Sequence, residues 1–147
     1  MASILKRALV FPALLAGSLC FVSCASGPSY TEAKSTLPSV AKGHSRVFIY
    51  RPSSFGAAIK PSVKIDGTAV GTSEGQGFIY SDQKPGQHVV SMSTEWTHKA
   101  TITVKPGESA FVRSKVRPGL IAGHIIPEQV DNATGEQEIQ DCKLSAE

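Results

Sequence analysis

Three hydrophobic patterns follow one another along the chain. A solid apolar run, Ala8 to Val22, stands behind Lys6 and Arg7. From Ala25 to Gly43 the residues are mostly small or polar, with little apolar content. From Ser45 onward, short apolar and β-branched stretches alternate with polar positions and are broken by Pro, Gly and Asp, the period-two signature of strands.

The third region predicts a succession of short strands. Arg46-Val47-Phe48-Ile49-Tyr50-Arg51 is β-branched or aromatic on both faces, which suits an inner strand, and Pro52 ends it. Ser62-Val63-Lys64-Ile65 alternates and runs into Asp66-Gly67, a two-residue hairpin signal that pairs Ile65 with Thr68 and Val63 with Val70. Further strands are predicted over Gly77 to Asp82, Gln87 to Glu95, His98 to Lys105 and Ser109 to Arg117. Pro-Gly recurs at Pro85-Gly86, Pro106-Gly107 and Pro118-Gly119, where Pro sets φ and Gly accepts positive φ in a type II turn. Strands at this spacing predict a small antiparallel sandwich or barrel.

The strands on either side of Pro106-Gly107-Glu108 allow a register argument. A three-residue hairpin loop sets Val104 opposite Ala110, Ile102 opposite Val112 and Ala100 opposite Ser114, giving one apolar face. A two-residue loop would put Arg113 on that face, and burying an unpaired charge costs several kcal/mol. The three-residue loop is therefore expected, with Lys99, Thr101, Thr103, Phe111, Arg113, Lys115 and Arg117 outside. Leu120 to Ile126 is a last strand candidate, ended by Pro127. Thr134-Gly135-Glu136-Gln137 has capping-box spacing and predicts a short helix over Gly135 to Cys142, with Ile139 and Cys142 packed on the sandwich.

The first pattern changes the picture of the whole chain. A charged start, a short apolar middle and a small residue before the cut define a secretory signal over Met1 to Ser23. The apolar run is shorter than the roughly 20 residues of a membrane-spanning helix. Its end, Phe21-Val22-Ser23-Cys24, resembles the bacterial lipobox, although Phe21 stands where Leu is usual. That resemblance implies lipidation at Cys24 and a membrane anchor. An ordinary signal cut near Ala25, releasing a soluble periplasmic protein, is the other reading. Residues 24–44 then read as a lipidated flexible tether and 45–147 as the folded domain. Ala25 is not the Asp that resembles an inner-membrane retention signal, so the outer membrane is favoured.

Charge and cysteine content fit that organisation. The chain carries 15 Lys and Arg against 12 Asp and Glu, and loss of Lys6 and Arg7 brings it close to balance. Nucleic acid is not expected as a partner. With Cys20 removed and Cys24 acylated, Cys142 is left alone and is expected to be buried and inert; a Cys24 to Cys142 disulfide is the alternative.

The remaining chemistry is sparse. Arg113, Lys115 and Arg117 form a stripe of like charges about 6.8 Å apart on one strand face. It could meet an anionic surface, against the plainer reading of a solvated face that discourages edge pairing. Gly71-Thr72-Ser73-Glu74-Gly75 fits G-x-S-x-G, and Asp82, His88, His98 and His124 follow in Ser, Asp, His order. A serine hydrolase needs a strained strand-to-helix turn, whereas Ser73 follows a hairpin and precedes a strand. A Ser73 hydrolase therefore stands only as the alternative to a non-enzymatic module. The histidines are scattered and no metal or other cofactor is expected; His88 and His98 would approach if their strands pair through Glu95-Trp96-Thr97. Trp96 at that tip is expected to fold back over the core, with surface contact as the other role. Asn132-Ala133-Thr134 matches a glycosylation sequon, a pattern that three residues produce often by chance.

Ser-Arg-Val-Phe-Ile-Tyr-Arg-Pro at 45–52, Val-Lys-Ile-Asp-Gly-Thr-Ala-Val-Gly at 63–71, Pro-Gly-Gln-His at 85–88 and the Thr-Gly-Glu-Gln-Glu-Ile end together resemble an uncharacterised proteobacterial lipoprotein family built on a domain of unknown function. The strand, Asp-Gly, strand order followed by Pro-Gly-x-His is similar to PEGA-type envelope domains. The resemblance implies an all-β fold, a small immunoglobulin-like or transthyretin-like sandwich, and a non-enzymatic cell-envelope role with an unknown envelope protein or wall partner. It carries over no catalytic residue.

Overall fold

The computed structural model describes residues 25–119 and 123–146; the signal segment and Cys24 lie outside them. Its strands are β1 (Ser45–Arg51), β2 (Ser62–Ile65), β3 (Thr68–Thr72), β4 (Gly77–Gln83), β5 (Gly86–Ser93), β6 (Thr97–Val104), β7 (Ala110–Arg117), β8 (His124–Val130) and β9 (Lys143–Leu144). Two helices, α1 (Tyr30–Thr36) and α2 (Asn132–Glu138), complete the elements with a 3₁₀ turn at Ile139–Asp141. The strands form a sandwich of a five-stranded sheet, β8-β7-β1-β4-β9, and a four-stranded sheet, β3-β2-β5-β6.

Two apolar layers hold it together. Between the sheets lies an aliphatic core that includes Val47, Ile49, Val63, Ile65, Met92, Ile102 and Val112. The second layer covers the outer face of the five-stranded sheet and is aromatic: Tyr30, Phe48, Tyr50, Phe78 and Phe111 pack with Ala33, Ile139 and Cys142 beneath the helices. Phe48 stacks on Phe111 at 5.4 Å, and Tyr30 meets Phe48 and Phe78 edge-on. β1 is buried along its full length because it sits at the centre of the sheet with apolar side chains on both faces.

The Asp66-Gly67 hairpin forms as its sequence requires, with φ of 49° and 83° at the two turn residues. Ile65 pairs with Thr68, but a bulge after Val63 sets that residue opposite Gly71 and not Val70.

The hairpin expected across Pro106-Gly107-Glu108 does not form. β6 pairs with β5, whereas β7 lies in the other sheet, parallel to β1 and antiparallel to β8. Of the expected inward set, Ile102, Val104, Ala110, Val112 and Ser114 are buried and Ala100 is half-buried, but the two strands face one another across the sandwich. Phe111 explains the difference. It was placed outside, yet a strand that is apolar on both faces belongs in a sheet covered on both sides, and here Phe111 is buried under α2.

The ends of the chain depart most from expectation. Residues 25–44 do not read as a tether in the structure: α1 is closed by a capping box between Ser29 and Glu32, and Tyr30 and Ala33 are fully buried. Gly27 N–H donates to the Leu144 carbonyl, Tyr30 N–H to that of Cys142, and Leu144 N–H to that of Pro28. Arg46 then ties the following segment down, holding Asp82 through two hydrogen bonds of 2.7 and 2.9 Å and the Pro38 carbonyl at 2.8 Å.

The strand expected over Leu120 to Ile126 is β8, which runs His124–Val130, through Pro127. Proline is tolerated because β8 is an edge strand and needs no donor on its open side. Helix α2 starts earlier than expected because Asp131, and not Thr134, is the cap: its carboxylate accepts from Thr134 N–H at 2.9 Å. Ile139 and Cys142 pack against the sheet as the sequence indicated.

Candidate functional surface

Strand direction gathers several connections at one end of the sandwich. The registers Arg51 with Gly77, Ser62 with Thr72 and Ser93, Ser93 with Thr97, and Arg117 with His124 fix it. They bring together loop 52–61, turn 73–76, tip 94–96 and, beside β7 and β8, Pro118, Gly119 and Gly123; residues 120–122 lie outside the described residues. The chain also enters the fold here. Ala25 is 5 % exposed and its N–H reaches the Gly75 carbonyl at 3.4 Å. Gly75 in turn packs close to loop 52–61: a Cβ there would lie 3.3 Å from Ala57 Cβ and 3.4 Å from Ser54 Cα.

Two aromatic side chains project from this end. Phe55 and Trp96 are each 66 % exposed. Trp96 was expected to fold back over the core; the tip closes through Thr94 N–H donating to the Trp96 carbonyl, and the indole is left outside. Phe55 was not singled out from the sequence. An aromatic inside Pro52-Ser53-Ser54-Phe55-Gly56, a turn-forming stretch with no apolar partner, was the available signal.

Loop 52–61 is held from below by Arg51, whose side chain is fully buried. Its guanidinium donates to the carbonyls of Ile59, Phe55 and Gly56 at 2.7, 2.6 and 2.6 Å, and its Nε has no partner. Burial lowers its pKa. Three converging carbonyl dipoles offset part of the cost of the buried charge and fix the backbone that carries Phe55.

The residues singled out from the sequence disperse. Ser73 is buried and donates its hydroxyl to Ser114 Oγ at 2.9 Å, a bond that ties the β3–β4 turn to β7. A hydrolytic nucleophile needs an exposed hydroxyl beside a base. His98 meets His124, not His88, with Nε2 and Nδ1 3.4 Å apart at the exposed-aromatic end. Among the described residues no group of three or more His, Cys, Asp or Glu is placed to hold a metal ion.

His88 belongs to the opposite end, where its two ring nitrogens face Asp66 Oδ2 at 2.6 Å and the Lys84 carbonyl at 2.7 Å. Burial alone would lower its pKa, but these two hydrogen bonds and the Asp66 charge outweigh it, and the pKa is raised. Asp66 is lowered in turn, first by the hydrogen bond from Val89 N–H and then by His88.

The basic stripe is largely neutralised. Arg113 bridges Glu138 at 2.6 Å and Glu128 at 3.0 Å, and Lys115 lies 3.6 Å from Glu128. Arg117, at the end of β7, is exposed. Cys142 is buried and its thiol pKa is pushed up to about 12 by burial. The acidic side chains of the α2 region also take the buried tyrosine hydroxyls: Tyr50 donates to Glu138 at 2.6 Å and Tyr30 to Glu136 at 3.1 Å. Burial first, then those carboxylates, raise both phenol pKa values. An open apolar groove of about 480 Å³ runs between Val70, Ile79 and Leu144.

Among the described residues no helix is long and apolar enough to cross a membrane. The chain is similar, at 29 % identity over 141 residues, to an uncharacterised protein of Haemophilus influenzae (strain ATCC 51907 / DSM 11121 / KW20 / Rd), covering 95 % of this chain and 83 % of that one. No solved structure matches it. Residues 41–124, more than half of the chain, match the family described as "Protein of unknown function (DUF2846)", and the chain belongs to that family.

Proposed function

We propose that this protein is a non-enzymatic module of the bacterial cell envelope, anchored by lipid on Cys24. The observation that carries the reading is the sequence Phe21-Val22-Ser23-Cys24 closing a short apolar run behind Lys6 and Arg7. Cys24 is then the acyl acceptor. More than one acyl chain is needed for a stable anchor, since each buried CH₂ contributes only about 0.8 kcal/mol and a single chain binds reversibly. Ala25 after the cysteine favours the outer membrane. The folded domain contributes a rigid surface, and the bonding of Ser73 to Ser114 gives that serine a structural role.

Radiolabelled palmitate fed to cells expressing the full chain tests the reading. Label is expected in the wild type and absent from Cys24→Ala. An unlabelled wild type, or label that survives the substitution, overturns it.

A further inference from the structure

The end of the sandwich that holds Ala25 carries the two most exposed aromatic side chains among the described residues, and their common location has a physical use. We propose that this end is a membrane-facing surface, with Phe55 and Trp96 seated in the headgroup layer of the bilayer that holds the anchor. The proposal rests on the lipid-anchor reading and adds to it an orientation.

Three observations carry it. The first is the absence of slack: Ala25, the residue after Cys24, is buried and bonded to Gly75, so an acyl group on Cys24 would leave from this end of the fold. Consecutive Cα atoms are about 3.8 Å apart, so an anchor one residue away holds the domain against the lipid surface. The second is the position of the aromatics. Phe55 follows Ser54, whose Cα would lie 3.4 Å from a Cβ at Gly75, and Trp96 tips the β5–β6 hairpin at the same end. Aromatic rings, tryptophan above all, favour the interface between headgroups and hydrocarbon. The third is rigidity. Arg51 clamps the Phe55 and Gly56 carbonyls at 2.6 Å, so Phe55 is displayed on a fixed backbone and little ordering remains to be done on contact. Lys99 and Arg117, both exposed near this end, add cations suited to phosphate headgroups.

Neither aromatic has to supply the affinity. The anchor already places the domain at the surface, and a modest interfacial preference suffices to select one orientation, as for any second site on a tethered ligand.

Trp96 is the chain's single tryptophan, so its emission reports this surface directly. The mature protein, purified from membranes, is reconstituted into phosphatidylethanolamine and phosphatidylglycerol vesicles with or without brominated acyl chains, and its mass gives the state of Cys24. With Cys24 acylated, bromolipid is expected to quench Trp96 emission by about half, as for an indole at the interface. Phe55→Ser should weaken that quenching about twofold, because Phe55 shares the contact. The side chain lost is exposed and Arg51 binds only the backbone there, so an unchanged circular dichroism spectrum shows that the fold is retained. An acylated protein whose Trp96 is quenched by acrylamide and untouched by bromolipid overturns the seating and leaves the anchor standing. Trp96 shielded in intact cells but not in vesicles also overturns it, in favour of a protein partner at this end. An unacylated Cys24 overturns the anchor reading and the seating together.

Discussion

The two apolar layers of the sandwich do the same job with different materials. The layer between the sheets is aliphatic and closed by strands of both sheets, among them β1 and β7 on one side and β2, β5 and β6 on the other. The layer on the outer face is aromatic and closed by α1 and α2, which come from opposite ends of the described chain. Branched aliphatic side chains mesh between two pleated surfaces, where the spacing is about 10 Å. A helix crossing a sheet leaves larger, less regular gaps, and rings stacked edge-on fill them. The aromatic layer therefore belongs to the structural core, although helices and not a second sheet cover it.

Removing the ring at the middle of the aromatic layer is the strongest test of that equivalence. Phe111→Ala, which loses the stack on Phe48 and the contact with Gly135, is expected to cost about 3–5 kcal/mol in urea unfolding. That is as much as truncating Ile102 in the aliphatic layer, for which about 2–5 kcal/mol is expected. A loss below about 1 kcal/mol for Phe111→Ala would reduce the outer layer to a mobile cover. Gly135→Ala probes the same contact from the helix side. A Cβ at that position would overlap the Phe111 ring, so α2 must move, and about 1–3 kcal/mol of destabilisation is expected from thermal or urea unfolding.

Thiol chemistry reports whether the outer layer opens by itself. With its pKa pushed up to about 12 by burial, Cys142 is expected to resist iodoacetamide at pH 8 in the native state and to react once urea unfolds the chain. Rapid alkylation without unfolding would show that α2 and the following 3₁₀ turn detach while the sheets stay paired. The smallest effect is expected outside both layers, at the partly exposed pair His88 and Asp66. The raised pKa of His88 gives a contribution that is full below its unfolded value of about 6.5 and fades as pH rises through the folded value. The lowered pKa of Asp66 gives one that is full above about 3.8 and fades as pH falls through the folded value. The pair thus stabilises most between about pH 4 and 6.5, and solvent around Asp66 keeps the effect under about 1 kcal/mol. Melting temperatures of wild type and His88→Gln should differ at pH 5.5 and converge by pH 8.5; a constant gap would assign the effect to packing.

The aliphatic layer was the more legible of the two in the sequence, for reasons visible in particular residues. Val63, Ile65, Ile102 and Val104 alternate with polar neighbours, and Asp66-Gly67 marks the first turn. The partner of β7 was not legible, because alternation fixes which face is buried and says nothing about which sheet supplies the cover. Phe111 held the missing information, being apolar on the face assigned to solvent. Helix α1 was also written in the chain: Ser29 and Glu32 form a capping box, and Tyr30, Ala33 and Leu37 follow at helical spacing. Its polar composition masked a single buried stripe that has meaning only against the aromatic sheet face. The exposed end was the least legible part. Phe55 and Trp96 are 41 residues apart in the sequence, and only strand direction brings their loops to one pole.

The seam that joins residues 27–30 to residues 142–144 has a consequence for the order in which the fold assembles. Gly27, Tyr30 and Leu144 exchange backbone hydrogen bonds across it, and β9 completes the edge of the sheet that β1 begins. A polypeptide emerging from a ribosome cannot zip this joint until residues 143–144 have appeared, and contacts of such long sequence separation form slowly. Closure of the seam is therefore expected to come after the strands between its two sides have paired, so that α1 and β9 dock on a sandwich already formed.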